Sequence, residues 1–253
     1  MNNNLIKATT LVAALASASL PVIAEEKHSE LEIDLGLAMG TSQSIYKGVD
    51  DQSAAIPLLS LRYERFYLDG FEAGYLLAED DDYSLSIAIA GDSLDGERTD
   101  GDSQLAGMGD VDSGINLKLA GETLTPFGLL SASIAQDISN EHEGTEVSFG
   151  WGMPVELSGV EVIPSVYASW MSGDLTNHYF GVSANKATVN RSAYTADDAW
   201  RYGVEVMAHY PLTPEWNLMG GVGIEWYSDE ITDSSIVDEE SSIGGFIGVN
   251  YRF

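Results

Sequence analysis

From residue 31 almost to residue 253 the chain alternates apolar and polar positions with a period of two, as strands do when one face meets an apolar medium. "LEIDLGLAM" sets Leu31, Ile33, Leu35, Leu37 and Met39 against Glu32, Asp34, Gly36 and Ala38. "YSLSIAIAG" sets Tyr83, Leu85, Ile87 and Ile89 against Ser84, Ser86, Ala88 and Ala90, and "INLKLA" continues the pattern with Lys118 on the polar side. In "EVSFGWGMPVEL", Val147, Phe149, Trp151, Met153, Val155 and Leu157 oppose a face that carries Glu146 and Glu156. "VEVIPSVYASW", "WRYGVEVMAHY" and "WNLMGGVGIEW" place Glu161, Arg201, Glu205, His209 and Glu225 on their polar faces. The final "SSIGGFIGVNYRF" puts Ile247, Val249, Tyr251 and Phe253 on one side and Gly248, Asn250 and Arg252 on the other.

Several of these stretches run to about 10 residues, enough to cross a bilayer at a tilt, whereas strands of a soluble sandwich average about 5 to 6. Aromatics stand at the ends of the apolar faces, at Trp170, Trp200, Tyr210, Trp216 and Trp226, where an amphipathic ring can lie at headgroup level. Short connections follow Ala120, Leu157 and Tyr210, and long polar ones occupy 91–111, 136–144, 171–199 and 228–241. The pattern predicts an all-β fold, a transmembrane antiparallel up-and-down β-barrel with short periplasmic turns and long outer loops. Strands are expected at 31–41, within 54–69, and at 71–79, 83–91, 112–120, 123–135, 145–157, 160–170, 200–210, 216–227 and 242–252. Splitting 54–69 around Tyr63 and Glu64 gives twelve strands, the preferred count; merging it and reassigning 71–79 gives ten, and both termini are periplasmic only for an even number.

Residues 1–24 have Lys7 near the start, an apolar run broken by Pro21, and the small-residue end "VIA", the layout of a cleaved secretory signal peptide. The expected mature domain is 25–253, and no later run approaches the roughly 20 apolar residues of a membrane helix, so a membrane location requires a closed barrel. Of the 253 residues 11 are Lys or Arg and 40 are Asp or Glu, for a formal charge of -29, which argues against nucleic-acid partners. There is no Cys, so a thiolate site and a disulfide framework are excluded.

Parity assigns Glu32, Asp34, Lys118, Glu146, Glu156, Glu161, Arg201, Glu205, His209, Glu225 and Arg252 to the barrel lumen, seven acids against three permanently charged bases. This set fits a cation-preferring pore, or equally a plugged barrel whose charges pair with one another. Asp92, Asp95, Glu97, Asp100, Asp102, Asp110 and Asp112 crowd one loop without the spacing of a twelve-residue calcium loop and read as solvated charge. The run Glu79, Asp80, Asp81 and Asp82 reads as a polar periplasmic turn. The four His residues, His28, His142, His178 and His209, have no nucleophile-elbow Ser among their possible partners, so no catalytic residue, cofactor or metal is expected.

The segments "IYKGVDDQSAAIPLLSLRYERFYLDG", "LAGMGDVDSGINLKLAG", "HEGTEVSFGWG", "YFGVS" and "AYTADDAWRYGVEVMAHYPLTPEWNLMGGVGIEW", with the closing "YRF", resemble the MipA/OmpV family of outer-membrane proteins over most of the chain. One departure is "ITDSSIVD", where Ser235 stands in place of the family's common Pro. The resemblance implies an outer-membrane location in a Gram-negative bacterium, with membrane lipid and the outer-membrane assembly machinery as partners. For some members it also implies a scaffold that brings a lytic transglycosylase and a penicillin-binding protein together at the peptidoglycan. The amphipathic last strand, with Tyr251 and Phe253, resembles the signal that the assembly machinery reads. The expected function is a non-enzymatic scaffold in envelope maintenance. The alternatives are a cation-preferring channel or solute-uptake porin, and a surface adhesin acting through 171–199.

Overall fold

A computed structural model describes residues 31–94 and 104–253. The expected signal peptide 1–24, His28 and the loop acids Asp95, Glu97, Asp100 and Asp102 lie outside the described residues. In chain order the strands are β1 (Glu32–Ser42), β2 (Gln52–Tyr63), β3 (Phe66–Asp69), β4 (Glu72–Asp80) and β5 (Tyr83–Gly91). Then come β6 (Ile115–Thr125), β7 (Gly128–Asp137), β8 (Thr145–Gly152), β9 (Val155–Leu157) and β10 (Val160–Met171). Helix α1 (Gly173–Phe180) precedes β11 (Ala199–Pro211) and β12 (Trp216–Tyr227), and helix α2 (Asp229–Thr232) precedes β13 (Ser241–Arg252).

Neighbouring strands pair antiparallel, and β1 pairs with β13, so the sheet closes on itself. β8 and β9 both pair with β10 in one continuous register, Gly152 opposite Ser165 and Val155 opposite Val162. They are a single wall strand interrupted at Pro154, which has no N–H to give to the ladder. The thirteen segments therefore make a closed twelve-stranded barrel. Strand β2 gives way to β3 at Glu64–Arg65, where Glu64 adopts φ 52°, so the expected split at Tyr63 and Glu64 is the observed one.

The turn expected after Ala120 is not there. β6 runs on through Gly121 and Glu122 to Thr125, and the chain reverses at Pro126–Phe127 instead. Thr125 Oγ1 accepts the Phe127 N–H at 3.1 Å and donates to the Gly128 carbonyl at 2.8 Å, while Gly128 takes a φ of 115° that favours glycine. Gly121–Glu122 resembled a turn only because the inner wall tolerates a polar residue. The expected strands 112–120 and 123–135 thus become Ile115–Thr125 and Gly128–Asp137.

Burial alternates along the strands, most regularly in β11, where Ala199, Arg201 and Met207 are buried while Trp200, Tyr202, Val204 and Val206 are exposed. An apolar belt this extensive is a liability in water and a match for lipid. Aromatic contacts edge it at both ends: Trp216, Tyr251 and Phe253 meet edge to face at the short-turn end, with centroids 5.0 and 4.8 Å apart, and Tyr202 stacks on Trp226 at 6.0 Å at the other. No helix among the described residues is long and apolar enough to cross a membrane, so the crossing elements are the strands. Inside, Gly74 and Gly203 leave room for the rings of Tyr67 and Tyr167, which a Cβ at either position would overlap.

Candidate functional site

The long-loop end of the barrel is closed by a lid with its own apolar core. Ile45 and Tyr46 come from the β1–β2 connection, and Leu94, Leu105 and Met108 from the β5–β6 connection. Leu175, Tyr179, Phe180 and Val182 come from α1 and the chain after it, and Ile231, Ile236 and Val237 from α2 and the chain after it. Helix α1 forms because Ser172 lets the strand turn while Leu175, Thr176, Tyr179 and Phe180 recur at helical spacing and bury one face. Phe180 stacks on Tyr46 at 5.7 Å, and the Ser234 hydroxyl donates to the Phe180 carbonyl at 2.6 Å, stitching the connections together. An outward cavity of about 390 Å³ lies among these loops, with Asp110, Asp112, Glu141, His178 and Lys186 on its wall.

Under the lid, three connections meet at Asp92, whose side chain is 3% exposed. Its carboxylate accepts from Tyr179 Oη at 2.6 Å, the Asn116 amide at 2.6 Å, the Gly114 N–H at 2.6 Å and His142 Nε2 at 3.1 Å. Burial alone would raise the Asp92 pKa, but these donors prevail and lower it from 3.8 to about 2. His142 Nδ1 accepts the Gly144 N–H at 3.0 Å, so the neutral ring with its proton on Nε2 satisfies both partners. Asp137 holds the same corner by accepting from the N–H groups of Ser139, His142 and Glu143.

Deeper in the barrel, Arg201 on β11 ties its neighbour β12 to β8, which lies on the far side of β10. It donates to Glu146 of β8 at 2.6 Å, to Glu225 of β12 at 3.4 Å and to Ser93 at 2.6 Å. Tyr167 of β10 donates to Glu225 at 2.6 Å, and Ser93 donates to Glu146 at 2.5 Å. Charges this far from solvent are tolerated because each has a partner within hydrogen-bond reach.

The remaining lumen candidates disperse along the wall. Lys118 pairs with Glu72 at 2.8 Å, and Arg252 makes a two-pronged contact with Asp34 at 2.9 Å across the β1–β13 seam. Glu205 accepts from Ser165 at 3.0 Å. Glu32 stands opposite Arg62, and Glu161 stands opposite both His209 and Glu156 near the short-turn rim. Together with β8, Arg201 brings Glu146 and Glu225 into one cluster, whereas Glu32, Glu156, Glu161 and His209 take no part in it.

Comparison with known proteins places the chain. A family model described as MltA-interacting protein MipA matches residues 35–253. The chain belongs to the MipA family. It is 28% identical over 230 residues to the MltA-interacting protein of Escherichia coli (strain K12), covering 89% of this chain and 92% of that protein. It is 29% identical over 128 residues to the outer membrane protein OmpV of Vibrio cholerae, covering 51% of this chain and 48% of that one. Among solved structures, the COG4313 outer membrane channel of Pseudomonas putida F1 aligns with a TM-score of 0.43 at 13% identity, covering 93% of this chain and 98% of that one. This MipA-family protein is accordingly an outer-membrane β-barrel.

Sequence reading of this MipA-family barrel missed several interior groups. Tyr167 shares the parity of Ser165 and Ser169 and was legible as inward-facing. Tyr67 and Glu72, linked at 2.6 Å, lie in the poorly alternating part of the chain. Asp92 read as solvated loop charge and is instead buried, because its partners His142 and Tyr179 come from connections 50 and 87 residues away. No local pattern announces such a contact.

Proposed function

We propose that this MipA-family barrel is a non-enzymatic outer-membrane scaffold for peptidoglycan-remodelling enzymes, holding a lytic transglycosylase and a penicillin-binding protein at its periplasmic side. The observation that carries this reading is the lid: four connections share one buried apolar cluster over the outer mouth. Below it, Arg201 is neutralised by Glu146 and Glu225. A wall closed in this way suits anchoring better than axial flow. The name of its relative, MltA-interacting protein, supports the same partner class. The short-turn end carries acids available to a basic periplasmic surface, among them Asp80, Asp81, Asp82, Glu156 and Glu215.

The test is capture of purified lytic transglycosylase and penicillin-binding protein by the full chain in lipid nanodiscs, with chemical crosslinking. Retention of the transglycosylase is the expected result, and a clean negative under crosslinking overturns the reading. The acid surplus of the lumen favours a second reading, a cation-preferring channel. Planar-bilayer recording separates the two: stable cation-selective steps that weaken on neutralising Glu205 and Glu225 would favour the channel.

A further inference from the structure

The barrel wall is not of even height. β2 has 12 residues, yet β3 pairs with only its last four, Ser60 to Tyr63, because the chain turns back at Gly70–Phe71. The last rung on that side is the Gly70 N–H donating to the Leu59 carbonyl at 2.9 Å. Backbone groups of a strand alternate sides, so Pro57, Ala55 and Ser53 present theirs to the same side as Leu59. Among the described residues no strand pairs with β2 there.

The register fixes the depth of this edge. Pro57 is opposite Leu37 and Ala55 is opposite Met39 on β1, and the outward side chains of Leu37 and Met39 are 54% and 67% exposed, within the apolar belt. An open strand edge is not tolerated against lipid hydrocarbon; at that depth irregular backbone survives where it is covered by protein or lines a water-filled cavity, so this edge belongs to an opening that water also reaches. Strand addition by another chain is obstructed, since Pro57 lacks the N–H that a partner strand would use. Beyond the short β3–β4 hairpin the wall resumes at β5, three strand spacings from β2, or roughly 14 Å. That gap is wide enough for a hydrocarbon chain.

The surface behind the gap is apolar. Ile56 and Leu58, on the inner face of the same strand, pack against a buried cluster of Ala38, Ile163, Met207 and Phe246 that spans the interior from β1 to β10. The rest of the interior is polar and acid-rich, and the lid closes the axial route. We propose that the β2–β3 gap is a lateral portal, through which an uncharged hydrocarbon chain passes between the outer leaflet and the Ile56–Phe246 surface inside the barrel. The acid surplus disfavours an anionic head group, so the ligand class is a neutral apolar chain. This inference is independent of the scaffold reading.

Photocrosslinking on the full chain in liposomes tests it. Two probes carry a diazirine on a hydrocarbon chain: a free fatty alcohol, and a phosphatidylcholine labelled in its acyl chain. Adducts on Ile56, Leu58 and Phe246 are expected with the fatty alcohol. The same adducts with the phospholipid would identify bilayer lipid as a source as well. Adducts confined, for both probes, to outward residues such as Leu37, Leu59 and Val222 would overturn the portal. In Ile56→Glu the inner adducts should fall to background while those on Leu37 persist; unchanged inner labelling in that folded variant would also overturn it. Should the variant fail to fold, the wild-type adduct map decides alone.

Discussion

Replacing Arg201 by Met should be among the most damaging single changes in the barrel. The Arg201 side chain is 5% exposed and its partners Glu146 and Glu225 are 12% and 2% exposed, so the variant leaves two carboxylates in a dry interior without their cation. Breaking a buried ion pair from one side costs about 3–5 kcal/mol, a shift of about two to three and a half decades in the folding equilibrium. The cost arises from the stranded acids rather than from the lost attraction. Neutralising them should therefore restore stability, and Arg201→Met combined with Glu146→Gln and Glu225→Gln should return to within about 1 kcal/mol of wild type. Urea titration of protein refolded in detergent micelles, followed by tryptophan fluorescence and the heat-modifiable gel band, measures both. A single variant as stable as wild type, or a triple variant as unstable as the single, would refute this account of the interior.

Other outcomes follow from the same geometry. The Asp92 pKa is lowered to about 2 from 3.8, so its contribution is present above pH 3.8 and is lost as pH falls toward 2. It amounts to about 2 kcal/mol. Protease resistance of the 172–198 connection should decline over that range, and Asp92→Asn should be cleaved more readily at neutral pH; equal resistance of the two proteins would count against the lid anchor. Gly203→Ala places a Cβ against the Tyr167 ring and should cost about 1–3 kcal/mol in the same urea titration, with Tyr167→Phe relieving little of it. Deleting Phe253, which meets Tyr251 edge to face at 4.8 Å, should lower outer-membrane levels in cells more than it lowers refolding yield in micelles; normal outer-membrane levels would contradict the assembly role.

What the sequence disclosed depended on which physical signal each region carries. β11 and β12 alternate with few interruptions between lipid and lumen, so their extent is readable from Trp200 to Tyr210 and from Trp216 to Trp226. β3 has four residues, too few for a period to show, and the gap beside it became visible only from pairing. The turn at Pro126–Phe127 was concealed by Gly121 and Glu122, because a polar residue facing a polar lumen looks like the end of a strand. The lid escaped notice because Ile45, Leu105, Phe180 and Ile231 come together from four connections, each apolar for only a residue or two. Inward charges at Arg201, Glu146 and Glu225 were named from parity, but their meeting at one point depends on the pairing registers of β8, β10, β11 and β12, which no single strand encodes.

The central claim is that a lidded outer-membrane barrel serves as an anchor for murein enzymes. The direct measurement is the affinity of purified lytic transglycosylase for the full chain in nanodiscs, by surface plasmon resonance with empty nanodiscs as reference. The account predicts saturable binding that weakens when Asp80, Asp81 and Asp82 are changed to Asn, with the barrel still folded. No binding above empty nanodiscs, together with stable single-channel steps from the same preparation, would contradict it.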